Sequence, residues 1–413
     1  MSATPQGPLT GYRVLEMGST IAGPFCGRLF ADFGAEVIKI EPREGDGVRS
    51  AGKRYKGKSL YAASILRNKK LISVDLRQAK GQELVRKLVP QCDVVIENFR
   101  PGGLEKWGLG YADLSQLRPD LIMVRISGFG QTGPYSSRPG YGIICEAASG
   151  LRHLTGDPDR PPARVAVALT DYITGLYAAF GAVMALLHRN RTGEGQYVDA
   201  ALAEGAFSFI EPHIPAFDKL GEIANRAGSG IAGSVPNNLY ATADGQFVHI
   251  QAAQNTVFRR FAPAIGRPEL PADERFVNAI ARGQHQQELD EIVAEWAGKH
   301  ALAHIRKTLD AVDVPAMGIN NVADIFLDPH FRERGMLAEV PDDDLGSVTL
   351  TGVVPKLSRT PGHIRKSGGR VGQDTRSVLA QMGCTAAELQ ALEAAGVIYS
   401  DPQSVAPWSR DIL

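Results

Sequence analysis

The sequence has no excess of charge of either sign and very little cysteine. Its 413 residues include 45 Lys and Arg and 45 Asp and Glu, so the chain as a whole does not attract nucleic acid or an anionic membrane. The four cysteines, Cys26, Cys92, Cys145 and Cys384, form no CxxC pair, which argues against a metal knot or a disulfide framework. Reduced thiols are typical of the cytoplasm, and we predict that location.

Several catalytic motifs and targeting segments are also missing. The chain has no GxSxG elbow and no GxxxxGK[ST] phosphate loop, and its N-terminus lacks the pattern of a secretory signal. GxGxxG occurs at 128–133, where Pro134 follows instead of a helix, and at 228–233, after polar coil, so we predict no NAD site. His300 and His304 lack the Glu of an HExxH motif and a third ligand, so we predict no metal.

The first 130 residues alternate short apolar strands with helical segments. YRVLEM, AEVIKIE, LISVDL, DVVIENF and LIMVRIS are predicted strands, and AGPFCGRLFADFG, GQELVRKLVPQ and LSQLRPD are predicted helices. Strands rich in Val, Ile and Leu that are separated by helices predict an α/β fold with a Rossmann-like parallel sheet. The loops EPREGDGVR, ENFRPGG and SGFGQTGP each follow a strand, where such sheets bind their ligands.

The second half of the chain has a different pattern. NLYATADGQFVHIQAA predicts a hairpin around Asp244-Gly245, and three helical segments follow it. We therefore predict a large domain that begins with residues 1–220, a smaller α+β domain over residues 221–325, and a return to the large domain over residues 326–413.

Asp171 is an isolated acid at the start of the longest apolar run of the chain, ALTDYITGLYAAFGAVMALL. The ordinary interpretation is a helix N-cap, because Asp accepts bonds from the first N–H groups of a helix. The run 172–187 is shorter than the roughly 20 residues that span a bilayer, so we predict a buried helix and no membrane. Arg67, Lys69, Lys70 and the stretch 53–58 concentrate positive charge, either as a solvated loop or as a grip on phosphates.

Eight segments in order resemble the class III CoA-transferases, the family of the formyl-CoA:oxalate and carnitine CoA-transferases, whose fold the α-methylacyl-CoA racemase shares. The segments cover nearly the whole chain. They are VLEMGSTIAGPFCGRLFADFGAEVIKIEP, RNKKLISVDLR, DVVIENFRPGGLEKWGLGY, ISGFGQTGPYSSRPGY, LTDYITGLYAA, RTGEGQYVDAAL, PKLSRTPG and VGQDTRSVL.

The resemblance implies that Asp171 is the nucleophile, because LTDYITG matches the segment with the family's catalytic aspartate. It also implies coenzyme A or acyl-CoA as a substrate and an interlocked homodimer of Rossmann-like chains. The residues implied to bind coenzyme A are Thr20, Ile21, Ala22, Arg43, Arg49, Asn98, Phe99, Lys106 and Arg138. Among them Phe99 would contact the adenine, and the basic side chains would pair with phosphates. Ser19 and Ile21 stand where several relatives carry His and Gln, and the Gly-rich loop 228–233 would be a lid.

The segment GLRHLTGDPDRPPARV before Asp171 looks most like the branch of the family that acts on dicarboxylic acids. We therefore expect a donor such as succinyl-CoA and a small carboxylic, dicarboxylic acceptor, including transfer between two carboxylates of one diacid. Candidate substrate-binding residues are Tyr141, Arg152, His153, Arg164 and Asn238. The alternative is an α-methylacyl-CoA racemase. Racemases carry His where this chain has Tyr141, and a tyrosine with an ordinary pKa of about 10 is a poor base for proton abstraction.

Overall fold

The computed structural model describes residues 7–403. The first six residues, which open the stretch considered for a secretory signal, and the last ten residues of the predicted segment 326–413 lie outside this range. The chain forms two compact units. The first comprises the residues up to Leu151, Ala166–Glu211 and those from His330 onward, and the second comprises Arg152–Val165 and Pro212–Pro329. The domain boundaries predicted at 220/221 and 325/326 stay predictions.

The strands belong to four sheets. In chain order they are β1 (Arg13–Glu16), β2 (Glu36–Glu41), β3 (Arg54–Tyr55), β4 (Lys58–Ser59), β5 (Lys70–Val74), β6 (Val94–Glu97), β7 (Ile122–Ser127), β8 (Gln196–Ala201), β9 (Asn237–Ala241), β10 (Phe247–Gln251), β11 (Ala316–Gly318), β12 (Leu337–Asp342), β13 (Gly346–Thr351) and β14 (Ile398–Tyr399). The largest sheet has seven strands in the order β14-β5-β2-β1-β6-β7-β8, and only β14 is antiparallel to its neighbour. The predicted α/β class and its large parallel sheet are therefore confirmed.

The helices connect these strands. They are α1 (Ala22–Asp32), α2 (Leu60–Ile65), α3 (Ala79–Leu88), α4 (Tyr111–Leu117), α5 (Gly142–Ala148), α6 (Leu169–Thr192), α7 (Leu202–Phe207), α8 (His213–Leu220), α9 (Asn255–Ala264), α10 (Ala279–Gln284), α11 (Gln286–Ala297), α12 (Leu302–Asp310), α13 (Val322–Leu327), α14 (Pro329–Glu333), α15 (Thr375–Gln381) and α16 (Ala386–Ala394).

Both faces of the seven-stranded sheet are covered by apolar clusters, because neighbouring strand residues point to opposite faces. Leu15 and Val95 belong to a cluster with residues of α3, α4, α15 and α16. Val14 and Val94 belong to a second cluster with residues of α1 and α6. Strands buried on both faces explain the continuous apolar runs from which the parallel sheet was predicted.

The second unit has its own core and its own sheet. Strands β9, β10 and β11 pair in an antiparallel sheet, with the predicted hairpin turn between β9 and β10. The cluster beside it is built from residues of these strands and of α9, α11 and α12, including Phe258, Phe261 and Leu289. This composition is typical of a small α+β module.

Helix α6 has 24 residues and is longer than the apolar run seen in the sequence. Among the described residues it is the one helix that is long and apolar enough to cross a membrane. Core helices of globular proteins also meet this criterion. Gly175 of this helix faces α1: a Cβ there would lie 2.8 Å from the Ala22 carbonyl oxygen and 2.8 Å from the Phe25 ring. The glycine therefore allows the two helices to pack closely.

Candidate active site

The strand order reverses direction at β1, which has β2 on one side and β6 on the other. Ligands of open α/β sheets bind at such a switch point, beyond the carboxyl ends of the strands. Here the loops after β1 and β6 meet: the Ser19 N–H donates to Asn98 Oδ1 at 2.7 Å, and Asn98 Nδ2 donates to the Ser19 carbonyl at 2.8 Å. Asn98, predicted to bind coenzyme A, thus holds the backbone of the Gly18–Ile21 loop.

The backbone of the Gly18–Ile21 loop is also held by two buried charged side chains, Lys39 and Asp46. Lys39 donates to the Gly18 carbonyl and pairs with Asp46 at 2.8 Å, and both side chains are only 1% exposed. Asp46 Oδ1 accepts the Thr20 N–H at 2.8 Å. Although burial opposes it, the ion pair with Lys39 holds the pKa of Asp46 below its usual value. Thr20 has φ of 71°, a left-handed conformation that costs energy and persists only where the surroundings enforce it.

Of the other two residues predicted in this loop, Ile21 is the N-cap of α1 and makes no side-chain cap bond, and Ala22 is the first, buried residue of that helix. A second buried pair supports the same region. Lys69 bonds Glu16 at 2.6 Å and the Pro24 carbonyl at 2.7 Å.

The basic cluster noted in the sequence therefore has a structural role at several positions. Arg67 is buried and bonds Asp32, Lys69 is buried with Glu16, and Lys70 pairs with Glu36. In addition, Lys58 pairs with Asp342 at 2.7 Å. Arg67 and Lys69 are buried against their carboxylate partners, so the phosphate-binding interpretation is not supported at these two positions. At Lys58 and Lys70 it stays a prediction.

The two arginines predicted after β2 have different surroundings. Arg49 donates from Nε and Nη2 to the Glu41 carboxylate at 2.8 and 2.7 Å, and from Nη1 to the Gly369 carbonyl at 2.9 Å. Arg43 is exposed, with its guanidinium 5.5 Å from the centre of the Tyr399 ring, beside a cavity of about 380 Å³. Arg49 fixes the loop, whereas the Arg43 guanidinium lies at the protein surface.

The remaining predicted coenzyme A residues lie after β6 and β7. Phe99 is half-buried, packs edge-on against Trp107 and donates its N–H to Glu97 Oε2 at 2.8 Å. Lys106 is exposed on the short helix Glu105–Trp107, and Arg138 is exposed with its guanidinium 3.7 Å from the centre of the Tyr135 ring. These residues and the Gly18–Ile21 loop follow the carboxyl ends of β1, β6 and β7, at one edge of the sheet.

Asp171 is the third residue of α6, and the N-cap of that helix is Ala168. The N-cap interpretation is therefore wrong, although a carboxylate in the first turn still gains from the helix dipole. Asp171 is half-buried and directly faces Gly142, the first residue of α5. A Cβ at Gly142 would lie 2.2 Å from Asp171 Oδ2, so only glycine fits there. Burial, with the Asp171 charge second, raises the pKa of the nearby Cys145 to about 11.

An aromatic group adjoins Asp171. Tyr172 packs edge-on against Phe25, with the ring centres 4.8 Å apart, and its hydroxyl lies 2.9 Å from that of Tyr61. Burial, then the bond with Tyr172, raises the pKa of Tyr61, and the Asp171 charge adds to the shift. Tyr141, the N-cap of α5 before Gly142, is 76% exposed. Sequence reasoning did not find Tyr61, because nothing in its local pattern distinguishes it from a core tyrosine.

The other four candidate substrate residues belong to the second unit. Asn238 donates to Asp290 Oδ2 at 3.0 Å, and Arg164 donates to the Val165 carbonyl at 3.3 Å. Arg152 and His153 open the segment Arg152–Val165. Arg226 bonds the carbonyls of His153 and Asp157, and the Gly228 N–H donates to the Gly156 carbonyl at 3.1 Å. The structure thus brings this segment against the beginning of the Gly-rich loop. Among residues 7–403 no group of three His, Cys, Asp or Glu is arranged to hold a metal ion.

An α/β sheet whose loops meet at its switch point, with a half-buried carboxylate in the first turn of α6, is compatible with a group-transfer enzyme, and the comparisons identify the family. Residues 9–375 match the sequence model of CoA-transferase family III, and the chain belongs to that family. It is therefore a CoA-transferase, and CoA thioesters are the substrates of its family.

Two curated relatives and one solved structure show the extent of the similarity. The chain is 46% identical to the succinyl-CoA–D-citramalate CoA-transferase of Chloroflexus aurantiacus, over 96% of this chain and all of that protein. It is 35% identical to the succinate–glutarate CoA-transferase of Agrobacterium fabrum, over 91% of this chain and 96% of that protein. A CaiB/BaiF family protein from Brucella suis has the same fold, with a TM-score of 0.81 and 34% identity over 91% of this chain and all of that one.

Proposed function

We propose that this enzyme moves CoA from a donor such as succinyl-CoA to a small dicarboxylic acid, with Asp171 as the covalent carrier. The observation that carries the proposal is the placement of Asp171: half-buried in the first turn of an apolar helix, with its carboxylate against Gly142, where any side chain would collide with it. The curated relatives named above act on citramalate and glutarate, which supports a dicarboxylate as the acceptor.

The proposed chemistry uses the carboxylate as a nucleophile. Asp171 attacks the donor thioester, forming a mixed anhydride and releasing CoA thiolate. The thiolate attacks the Asp171 carbonyl, giving an aspartyl-CoA thioester and the free donor acid. The acceptor carboxylate then attacks this thioester, and the released thiolate attacks the acceptor carbonyl of the new anhydride, which restores Asp171. The apolar surroundings along α6 disfavour water and so protect both anhydrides from hydrolysis.

Coenzyme A is proposed to bind along the carboxyl edge of the sheet. Arg43, Lys106 and Arg138 have exposed side chains there that can pair with phosphates, and Phe99 offers a half-buried ring for the adenine. Thr20, Ile21 and Ala22 would line the thioester end with backbone atoms held by Asp46, Lys39 and Asn98. Neither a metal nor NAD takes part in this proposal.

The functional form is proposed to be an interlocked homodimer in the cytoplasm. Helix α6 exposes Leu176, Phe180, Met184 and Leu187, which recur along one stripe of the helix. An exposed apolar stripe of this kind marks an interaction surface, and a second copy of the chain is the proposed partner. The cysteines Cys26, Cys92, Cys145 and Cys384 are free, as in a reducing compartment.

The test is CoA exchange between succinyl-CoA and a panel of diacids, followed by mass spectrometry of the CoA esters. Asp171→Ala should abolish transfer and leave CoA binding measurable, because the variant removes the carrier and not the sheet edge. Glu194→Gln is the matched control, since it alters the next acid along the chain and should retain full activity. Wild-type enzyme incubated with succinyl-CoA should gain a hydroxylamine-sensitive adduct on Asp171. Transfer by Asp171→Ala would exclude the aspartyl carrier.

Two further measurements distinguish this function from its alternatives. A racemase would exchange the α-proton of a 2-methylacyl-CoA with deuterated solvent, and we expect no exchange, because this chain has Tyr141 where racemases carry His, and a tyrosine is a poor base. Intramolecular transfer would convert one CoA regioisomer of an unsymmetrical diacid into the other without release of free acid, which isotope-labelled diacid in solution detects.

A further inference from the structure

The guanidinium of Arg28, on α1, is a largely buried cation whose ion pair with Asp32 is long. Its side chain is 13% exposed, and its Nε atom is buried without a hydrogen-bond partner among the described residues. The nearest carboxylate, Asp32, lies 3.8 Å from Nε. A buried charge without a hydrogen-bonded partner is costly, so its retention calls for a ligand.

Asp32 is already held by other donors. Arg67 donates from Nε, shared between both oxygens at 3.0 and 3.1 Å, and from Nη2 at 2.6 Å, and Asn68 donates at 2.7 Å. Both oxygens are therefore engaged, and Arg28 makes only the longer contact of 3.8 Å. Arg365 also interacts electrostatically with Asp32, so three guanidinium groups share one negative charge. The net charge of this group of three arginines and one aspartate is therefore positive.

The Arg28 guanidinium lies beside aromatic residues that adjoin Asp171. Side chains on a helix lean toward its N-terminus, and α1 begins at Ala22, the residue whose carbonyl adjoins Gly175 of the nucleophile's helix. The guanidinium lies over the Phe25 ring, 4.6 Å from its centre, and that ring packs against Tyr172, the neighbour of Asp171.

Two hydroxyl groups complete the cluster. Arg28 interacts electrostatically with the hydroxyls of Tyr61 and Tyr172, which are 2.9 Å apart. Tyr61 also interacts electrostatically with Asp171. Burial, and then repulsion by Arg67, lowers the pKa of Arg28 to about 10, so the group stays charged at neutral pH. One of the two O–H groups is used between the hydroxyls, so the guanidinium and the remaining O–H can donate to a carboxylate.

We propose that Arg28, with the Tyr61–Tyr172 hydroxyl pair, binds the second carboxylate of the dicarboxylic substrate while its first carboxyl group reacts at Asp171. The inference rests on the proposed CoA transfer and adds what determines the choice of acid. A diacid brings a second negative charge close to the charged nucleophile, and Arg28 offsets the repulsion. A monocarboxylic acid has no group to fill this site.

The experiment compares acceptors of equal length with and without the second carboxylate, glutarate against valerate, using succinyl-CoA as donor. In the wild type, glutarate should be the better acceptor. Arg28→Met should lower kcat/KM for glutarate about 10- to 100-fold, the value of a charge-assisted contact, and change valerate by less than about twofold. Arg28→Lys should fall between them, because it keeps the charge without the planar fork.

The matched control is Arg365→Met, which removes another guanidinium near Asp32 and should leave the glutarate-to-valerate ratio unchanged. Binding of glutarate to Asp171→Ala in the presence of CoA, with and without Arg28→Met, measures the same contact without turnover. If Arg28→Met fails to fold, the glutarate-to-valerate ratio of kcat/KM in Arg28→Lys tests the proposal instead. Equal losses for both acids, or an unchanged ratio in either Arg28 variant, would overturn the proposal. Wild-type enzyme that transfers CoA to valerate as well as to glutarate would overturn it while leaving CoA transfer intact, and no transfer to any acid would defeat the proposed function itself.

Discussion

The Gly18–Ile21 loop and the first turn of α6 approach each other at the start of α1, yet they are held in place by opposite means. The loop is held by hydrogen bonds and buried charges from Lys39, Asp46 and Asn98. The beginning of α6 is closely packed, since Gly142 and Gly175 leave no room for a side chain beside that helix. The difference teaches that polar contacts fix a strained backbone in this site, whereas close packing against glycine positions the helix that carries Asp171.

The largest expected effect is on the electrostatic side of the comparison. Lys39→Met leaves Asp46 buried without its partner, and we expect a loss of about 3–5 kcal/mol in the free energy of unfolding. Urea denaturation measures it. Lys70→Met is the matched control, because Lys70 and Glu36 are about one-third exposed and the pair should be worth no more than about 1 kcal/mol. Equal losses in the two variants would show that buried charge does not hold the loop.

The second effect concerns the steric side. Gly142→Ala places a methyl group against Asp171 Oδ2 and should displace the carboxylate, which lowers kcat for CoA transfer about 100-fold. The Kd for CoA should change by less than about threefold, because the sheet edge is untouched. Gly298→Ala, at the end of α11, is the control for the substitution itself. Full activity in Gly142→Ala would mean that the position of Asp171 does not depend on this contact.

The smallest effect is expected at Arg43, and it is compared with that of Arg49 in the same loop. Arg43→Met should weaken CoA binding about 10-fold without changing the urea midpoint, since its guanidinium lies at the surface. Arg49→Met should instead destabilise the fold, because it leaves the fully buried Glu41 without its partner. Calorimetric titration with CoA, beside a denaturation curve, distinguishes the two. A reversed result would make Arg49 the ligand-binding residue and Arg43 the structural one.

The sequence predicted the strands of the parallel sheet and the loops at its carboxyl edge, because uninterrupted apolar runs between helices permit few other folds. It did not predict which charges are structural. Arg49 and Arg43 stand six residues apart in one loop, and only the fold places a buried Glu41 beside one of them. Arg28 gave no signal either, since its partners Phe25, Tyr61 and Tyr172 come from three separate segments.

Other parts of the site depended on positions that composition does not reveal. Helix α6 begins three residues earlier than an N-cap at Asp171 would require, so Asp171 is its third residue. Helix ends are commonly mispredicted by a few residues. Arg152, His153, Arg164 and Asn238 belong to the second unit, an assignment that follows from long-range packing and not from local pattern. The roles of these four residues stay predictions.

The last strand, β14, has a consequence for how the chain is made. It pairs with β5, more than 300 residues earlier, and beside it the side chains of Asp374 and Thr375 accept the N–H groups of Leu71 and Ser73. On the ribosome β5 therefore emerges long before its outer edge can be covered. Until synthesis is complete, that edge is an exposed template for pairing with other chains, so nascent or C-terminally truncated protein is the form most prone to aggregate.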